Sequence, residues 1–520
     1  MKKTFYILST LLILSAICLT ACNHSVEHAE HSFGPWQTKT PATCTAEGVE
    51  IRSCECGETE ERPISLIDHS WQDATCTSPK TCSACKTTEG MAKGHSIIEA
   101  TCYSPASCEV CNETLGDPVN HSYSYNAKCV YCGEYAPVGN YKFVSNGDGT
   151  CSLTAGGSYN VNAVIPGIAP NGDIVTKIDG AFSGSSSLVS VIIPDTVTEI
   201  GYKAFVNCSS LVSVSIPSSV TKIGYAAFNG CKSLESIEIP DSVESIGEAA
   251  FGNCIAFKSF TIPNGVKTIG KYAFSNCYDL KGVTVGSGVE SIGEYAFQDC
   301  DITEIYISDL TAWCKIDFKT NHSNPSASND YQDELINLYL NGEPLTELVI
   351  PEEITKINNF SFYKISSIKT LVIHDGVTEI GERAFTGCEK IESIKIGSGV
   401  ETIGTYSFNY CISLTDLTLS EGITTIGFGA FFKCENLKAV DIPDSVKLIE
   451  DSAFRNCEAM THLVIGRGVE SIEAGAFNNT YLLTDIWYTG SAEEWAEITI
   501  GNDLGYITNR EIHFDYVRES

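Results

Sequence analysis

Four side chains with metal-ligating chemistry recur at one spacing near the start of this 520-residue chain. The pattern C-x5-C-x2-C-x9-H occurs as Cys76, Cys82, Cys85, His95 and again as Cys102, Cys108, Cys111, His121. His69, His95 and His121 are 26 residues apart, and each Cys of the first set has its counterpart 26 residues on. Each set offers four soft or borderline ligands, the number a tetrahedral structural zinc site takes. A C-x2-C turn places two thiolates on one knuckle, and the distant Cys and His close the site. Four protein ligands leave no open coordination position, so the chemistry expected is structural rather than catalytic. Disulfides and thiol redox chemistry are the competing readings, because exported proteins usually oxidise their thiols. Residues 23–135 hold eleven cysteines, an odd number that excludes complete internal pairing. A disulfide also gives no reason for a His to repeat together with three Cys.

Something must position these ligands. Each His opens the same phrase: His31-Ser32-Phe33, His69-Ser70-Trp71, His95-Ser96-Ile97 and His121-Ser122-Tyr123. Each phrase runs on to a Cys, namely Cys44, Cys76, Cys102 and Cys129. The register has defects. Cys54-Glu55-Cys56 is one residue short of a knuckle, and the last unit holds only Cys129 and Cys132. Units this small cannot build a core unaided, so residues 22–135 are expected to be stapled Cys/His-rich modules forming a stalk. Ahead of them, Lys2 and Lys3 precede an apolar run from Phe5 to Ile17 and then Leu19-Thr20-Ala21-Cys22. A basic start, a short apolar stretch and small residues describe a secretory signal. The run is too short to span a bilayer comfortably. Its end resembles the lipobox of bacterial lipoproteins. That resemblance implies removal of residues 1–21, acylation of Cys22, and an extracytoplasmic protein held to the membrane through its N-terminal lipid.

Beyond residue 170 a second ruler takes over. Phe182, Phe205, Phe228, Phe251, Phe274 and Phe297 are each 23 residues apart, and the series restarts as Phe362, Phe385, Phe408, Phe431, Phe454 and Phe477. A fixed period of this length marks a solenoid, which offers an extended surface instead of a pocket. Within one unit, Leu234, Ile237 and Ile239 read as a short strand with alternating inward side chains. Val243 and Ile246 turn inward again, Gly247 permits a corner, and Phe251 fills the middle. Strands of successive coils then pair in parallel about 4.8 Å apart. Nine units place a Cys three residues after the Phe, from Cys208 to Cys457. These read as reduced, buried thiols packing as small hydrophobes.

The unit S-V-x-x-I-G-x-x-A-F-x-x-C-x-x-L-x-S-I-x-I-P resembles the leucine-rich repeats of BspA-like bacterial surface proteins, also called the Treponema pallidum type. The resemblance spans residues 140 to 520. It implies a right-handed solenoid of 23-residue repeats with short parallel strands, displayed on the cell surface. It also implies adhesion to host matrix and plasma proteins or to other microbes. The expected layout has two blocks of six coils, residues 171–307 and 351–488. Residues 136–170 form a hairpin cap ahead of them, with Asn146-Gly147-Asp148-Gly149 as its turn. The insertion 308–350 and the end 489–520 each carry W-x-x-I, at Trp313 and Trp495. These are expected to cap each block, with a ligand-contacting loop at Thr320 to Asp333 as the alternative.

The residue between the last two apolar strand positions should face out. Down the rod this stripe runs Ser215, Glu238, Thr261, Thr284, Tyr306, Val372, Lys395, Thr418, Asp441, Val464 and Trp487. Glu238, Tyr306, Lys395, Asp441 and Trp487 are the candidate ligand contacts. The formal charge of -32 sets the chain against nucleic acid and anionic lipid surfaces. The stripe has no basic track for phosphate and no aromatic run for sugar stacking, so the partner expected is an extracellular protein. G-x-S-x-G, H-E-x-x-H, a P-loop and G-x-G-x-x-G are all missing from the sequence, and the chain reads as non-catalytic. A metal-binding surface protein and a glycan-associated envelope component are the alternatives.

Overall fold

The computed structural model describes residues 32–55, 57–98, 106–114, 141–155, 161–328, 335–501, 507 and 510–518. The signal segment and Cys22 lie outside the described residues, as do Cys102 and His121. The chain forms two compact units, Met1–Asn120 and His121–Ser520. Among the described residues no helix is long and apolar enough to cross a membrane.

The first unit is built from small antiparallel sheets. Gln37–Thr40, Gly48–Ser53 and Thr59–Ile64 form one, and Trp71–Gln72, Lys80–Cys82 and Thr88–Glu89 another. Ile97–Ile98 and Ser107–Cys108 form the third. One element repeats: the residue two after the phrase-opening His pairs with a Cys, as Phe33 with Cys54, Trp71 with Cys82 and Ile97 with Cys108.

The second unit is a parallel solenoid. The antiparallel hairpin Lys142–Ser145 with Thr150–Ala155 opens it, and its second strand pairs in parallel with Ile174–Ile178. Most coils then contribute to two ladders, but Leu234, Ile237 and Ile239, expected as a strand, form none, and the first ladder breaks there. The strand anticipated from the L-x-x-I-x-I positions forms the first, as in Ser259–Ile262, Gly282–Val285 and Glu304–Ile307. The second, made of two-residue strands such as Ser245–Ile246 and Thr268–Ile269, is the more continuous of the two. It counts about fifteen turns. Twelve precede a ruler Phe, and Thr150–Ala155, Asp317–Phe318 and Thr499–Ile500 add the others.

One core runs through both blocks, from Cys151 to Ile507. The ruler phenylalanines stack along it, Phe205 on Phe228 at 5.2 Å and Phe228 on Phe251 at 5.3 Å. The corner is turned differently from the expectation. Gly247 does not need a left-handed backbone; a Cβ there would lie 2.6 Å from the Gly224 carbonyl carbon, so glycine permits close approach of successive coils. The left-handed residue comes two positions later, at Ala249 (φ 53). A second lies just before the Cys, where Asn207, Asn253 and Asn276 have φ of 58, 60 and 59. Asn tolerates this conformation better than most side chains. That explains its recurrence between Phe and Cys.

The insertion splices the two blocks together. Trp313 is 1% exposed and its Nε1 donates to Ser361 O at 3.0 Å, across the break in the ruler. Asn324 is fully buried and donates to Phe360 O and Ser361 O. Phe297 N–H donates to His322 O, and Asp299 N–H to Ser328 O, where earlier coils bond the next repeat. The stretch 320–328 therefore takes the place of one coil, and Ser323 to Ser328 are buried. That part of the expected contact loop is packed inward.

Candidate metal centres and the strand face

In the first unit the structure brings together two groups of four ligands. Cys44, His69, Cys82 and Cys85 form one, and Cys76, His95, Cys108 and Cys111 the other; within each, all ligand atoms lie within 4.8 Å. These are not the contiguous sets read from the spacing. Cys76 and His95 leave Cys82 and Cys85 and join Cys108 and Cys111. Cys44 and His69 complete the earlier knuckle.

Local structure explains the assembly. The strand after each His pairs with the first knuckle Cys, which sets the His beside the knuckle. Ser83 N–H donates to Ser70 O, and Glu109 N–H to Ser96 O. The knuckle closes through Lys86 N–H to Cys82 O and Asn112 N–H to Cys108 O, with Lys86 and Asn112 left-handed. The fourth ligand arrives on a tight turn, Thr43 N–H to Ala46 O or Thr75 N–H to Ser78 O. This turn also accepts a bond from the residue two before the His, as Ile67 N–H to Thr43 O and Lys93 N–H to Thr75 O.

The distances suit one ion. Zn–S of about 2.3 Å and Zn–N of about 2.0–2.1 Å put tetrahedral S···S edges near 3.8 Å and S···N edges near 3.5 Å. Cys44 Sγ lies 3.8 Å from Cys82 Sγ, and Cys76 Sγ 3.5 Å from Cys108 Sγ. Cys85 Sγ is 3.3 Å from His69 Nδ1, and Cys111 Sγ 3.5 Å from His95 Nδ1. A disulfide would need about 2.05 Å, and the thiols of both groups are free. On its far side His95 Nε2 faces Glu113 at 3.5 Å, a carboxylate placed to orient the ring. The backbone N–H of Cys85 and then His69 lower the Cys82 thiol to about 5. Burial raises Cys108, but Cys111 N–H, His95 and Val110 N–H prevail and lower it to about 6. Hydrogen bonding to Cys85 raises Cys44 to about 11. Both groups could hold a metal.

On the solenoid, Tyr306 lies in Glu304–Ile307 and stacks on Tyr339 at 4.8 Å, while Lys395 is exposed in Ser393–Ile396 between Val372 and Thr418. Glu238 is exposed but on no strand, because the first ladder breaks at its coil. Asp441 and Trp487 are engaged by the chain's own tail. Arg518 Nε donates to Asp441 Oδ1 at 2.8 Å, and Trp487 packs on His513 at 4.2 Å and Tyr516 at 5.2 Å. Val464, expected to face out, is 2% exposed. Register adds Tyr339, Val349 and His513 to the stripe, in line with Tyr306, Val372 and Trp487. They fall in the insertion and the end, where the ruler gives no position.

The family described as "BspA type Leucine rich repeat region (6 copies)" matches residues 176–316, 337–460 and 387–502. A leucine-rich repeat protein from Bacteroides ovatus is 26% identical, with 73% of this chain and 99% of that one covered and a TM-score of 0.50. A leucine rich cell surface protein from Faecalibacterium prausnitzii is 31% identical over 70% of this chain and 98% of that one, with a TM-score of 0.40. The T. pallidum leucine-rich repeat protein is 21% identical over 49% and 88%, with a TM-score of 0.32. No curated protein matches the chain.

Proposed function

We propose that this chain, which belongs to the BspA-type leucine-rich repeat family, is a lipid-anchored, non-catalytic, protein-binding solenoid of a bacterial cell surface and serves as an adhesin for host or microbial proteins. The observation that carries this reading is the strand face, laid over one continuous core. Such a face offers area, and area suits a protein ligand. The surface location draws support from the Faecalibacterium prausnitzii relative, a cell surface protein by its description. The anchor rests on Leu19-Thr20-Ala21-Cys22. The two Cys/His groups hold structural zinc; four protein ligands close each site and leave no position for a substrate.

The test is saturable binding of the full mature chain to immobilised matrix and plasma proteins, beside the variant Lys395→Glu with Tyr306→Ala. Both residues lie on strands away from the tail, whereas Trp487 and Asp441 are already engaged by it. Binding lost in the variant with an unchanged melting profile supports a ligand on the strand face. Binding to no protein sinks the adhesin reading.

A further inference from the structure

The two metal groups interleave along the chain. In order, the ligands are Cys44, His69, Cys76, Cys82, Cys85, His95, Cys108 and Cys111, and the third belongs to the second group. Each group takes its His and its knuckle from one module and its remaining Cys from the module before. We propose that each ion is a clasp between consecutive modules, so that Cys76, although flanked by the ligands of the first ion, serves the second. This rests on the structural-zinc reading above and adds what the zinc joins.

Three observations carry it. The Sγ and Nδ1 separations of 3.3–3.8 Å match tetrahedron edges in both groups, across the module boundary as well as between the knuckle and the His of its own module. The boundary contact is the same both times: the turn bearing the donated Cys accepts the N–H of the residue two before the next His, Ile67 to Thr43 O and Lys93 to Thr75 O. Gly94 N–H also donates to Cys76 O at 3.1 Å. Finally, the donated Cys is buried although it comes from the neighbouring module: Cys44 and Cys76 are each 6% exposed, more covered than the second knuckle Cys of the same group, half-buried Cys85 or exposed Cys111. A cysteine that served its own module's knuckle would not need this recurring seat against the next module's leader. The consequence is vectorial: losing one ion frees one junction and leaves the other closed.

The experiment uses the full chain, kept reduced with a phosphine, loaded with cobalt(II) and counted by thiolate charge-transfer absorption and elemental analysis. Two double variants are compared. Cys76→Ser with Cys111→Ser removes two ligands of one clasp and should cost one metal equivalent. Cys76→Ser with Cys85→Ser removes one ligand from each and should cost two. Because these are differences, metal bound elsewhere cancels. The opposite pattern, two equivalents for the first variant and one for the second, overturns the clasp and restores contiguous sites while zinc itself stands. A wild-type chain that binds no metal under these conditions overturns the zinc reading and the clasp with it.

A second readout uses trypsin at Lys93, whose N–H is held by the Cys76 turn. In zinc-loaded protein, Cys76→Ser should open Lys93 to cleavage and Cys44→Ser should leave it protected. Equal cleavage in both variants also overturns the clasp.

Discussion

The cysteines of the N-terminal modules and those of the solenoid are the same side chain driven in opposite directions. Cys82 and Cys108 are fully buried, and so are Cys208 and Cys254. Yet Cys82 is lowered to about 5, whereas burial pushes Cys208 up to about 12 and Cys254 well above its ordinary value. What differs first is how deeply the surrounding core desolvates the sulfur, which in the solenoid outweighs the backbone N–H groups that also reach it, and then the partner each sulfur faces. The knuckle turns backbone N–H groups toward sulfur, as Val110 N–H to Cys108 Sγ at 3.4 Å. The solenoid turns a carbonyl toward it: Cys208 S–H donates to Phe182 O at 3.1 Å, and Cys254 S–H to Phe228 O at 3.2 Å, one coil back. Donors favour the thiolate, which is the ligand and nucleophile. Acceptors and burial favour the inert thiol. Zero surface exposure alone therefore does not separate a ligand cysteine from a packed one.

The largest effect that can break this contrast is metal removal. A strong chelator should abolish amide protection across residues 32–114 and leave the solenoid's melting transition in place. Structural zinc contributes on the order of 10 kcal/mol in small modules, and these sheets bury little else. Hydrogen exchange with mass spectrometry reads both units in one sample. Persistent protection of Trp71–Cys82 in the chelated chain would contradict a metal-held module.

Next in size is the solenoid's own determinant. Phe228 lies between Phe205 and Phe251 in a stack with no metal. Phe228→Ala should cost about 3–5 kcal/mol, seen as a lower denaturation midpoint, with the cobalt count unchanged. A smaller loss than about 1 kcal/mol would mean that neighbouring coils collapse into the space.

Cys254→Ser against Cys85→Ser sharpens the comparison at single-atom scale. The first should cost roughly 1–3 kcal/mol, since a more polar hydroxyl enters a closed core, and change no metal equivalent. The second should remove one equivalent and leave the solenoid midpoint where it was. Alkylation at pH 8 tells the same story: with the Cys208 thiol near 12, only about 10^-4 of it is thiolate. Metal-free protein should label at the ligand cysteines, exposed Cys111 and half-buried Cys85 among them, long before Cys208, and zinc should protect them.

The solenoid was legible because its period is its structure. Each Phe at 23-residue spacing meets its copy one coil away, so sequence distance maps directly onto stacking. The metal groups were only half legible for a related reason. A repeat shows which residues are equivalent, but Cys76 with its own knuckle and Cys76 with the next one have the same period. Register between modules decides, and it is set by backbone bonds such as Lys93 N–H to Thr75 O. Cys44 escaped the spacing because 25 residues separate it from His69, against 19 between Cys76 and His95. The longer strands Gly48–Ser53 and Thr59–Ile64 take up the difference. The second ladder was missed because strands of two residues, such as Ser245–Ile246, leave no alternation to read. Asp441 is covered by Arg518, and Trp487 by His513 and Tyr516, none of which belongs to a repeat.

That tail gives the smallest effect and a further contrast, between a stripe residue free for a partner and one already taken. Arg518 bridges Asp441 and Asp444, each at 2.8 Å, on a half-buried surface. Burial raises the Asp444 carboxyl, but Arg518 and Thr489 prevail and hold it below its ordinary 3.8. A carboxyl lowered by folding stabilises the native contact above that ordinary value, and the contribution disappears as pH falls through the lower native one. Arg518→Ala should therefore cost no more than about 1 kcal/mol at neutral pH. It should cost less as the medium is acidified past the carboxylate range, with Trp487 fluorescence reporting release of Tyr516. At the same time the variant should uncover Asp441 and Trp487. If ligand affinity rises when Arg518 is removed, the strand face extends to the solenoid's end and the tail competes for it. If affinity is unchanged, the ligand is confined to the uncovered part of the face around Tyr306 and Lys395.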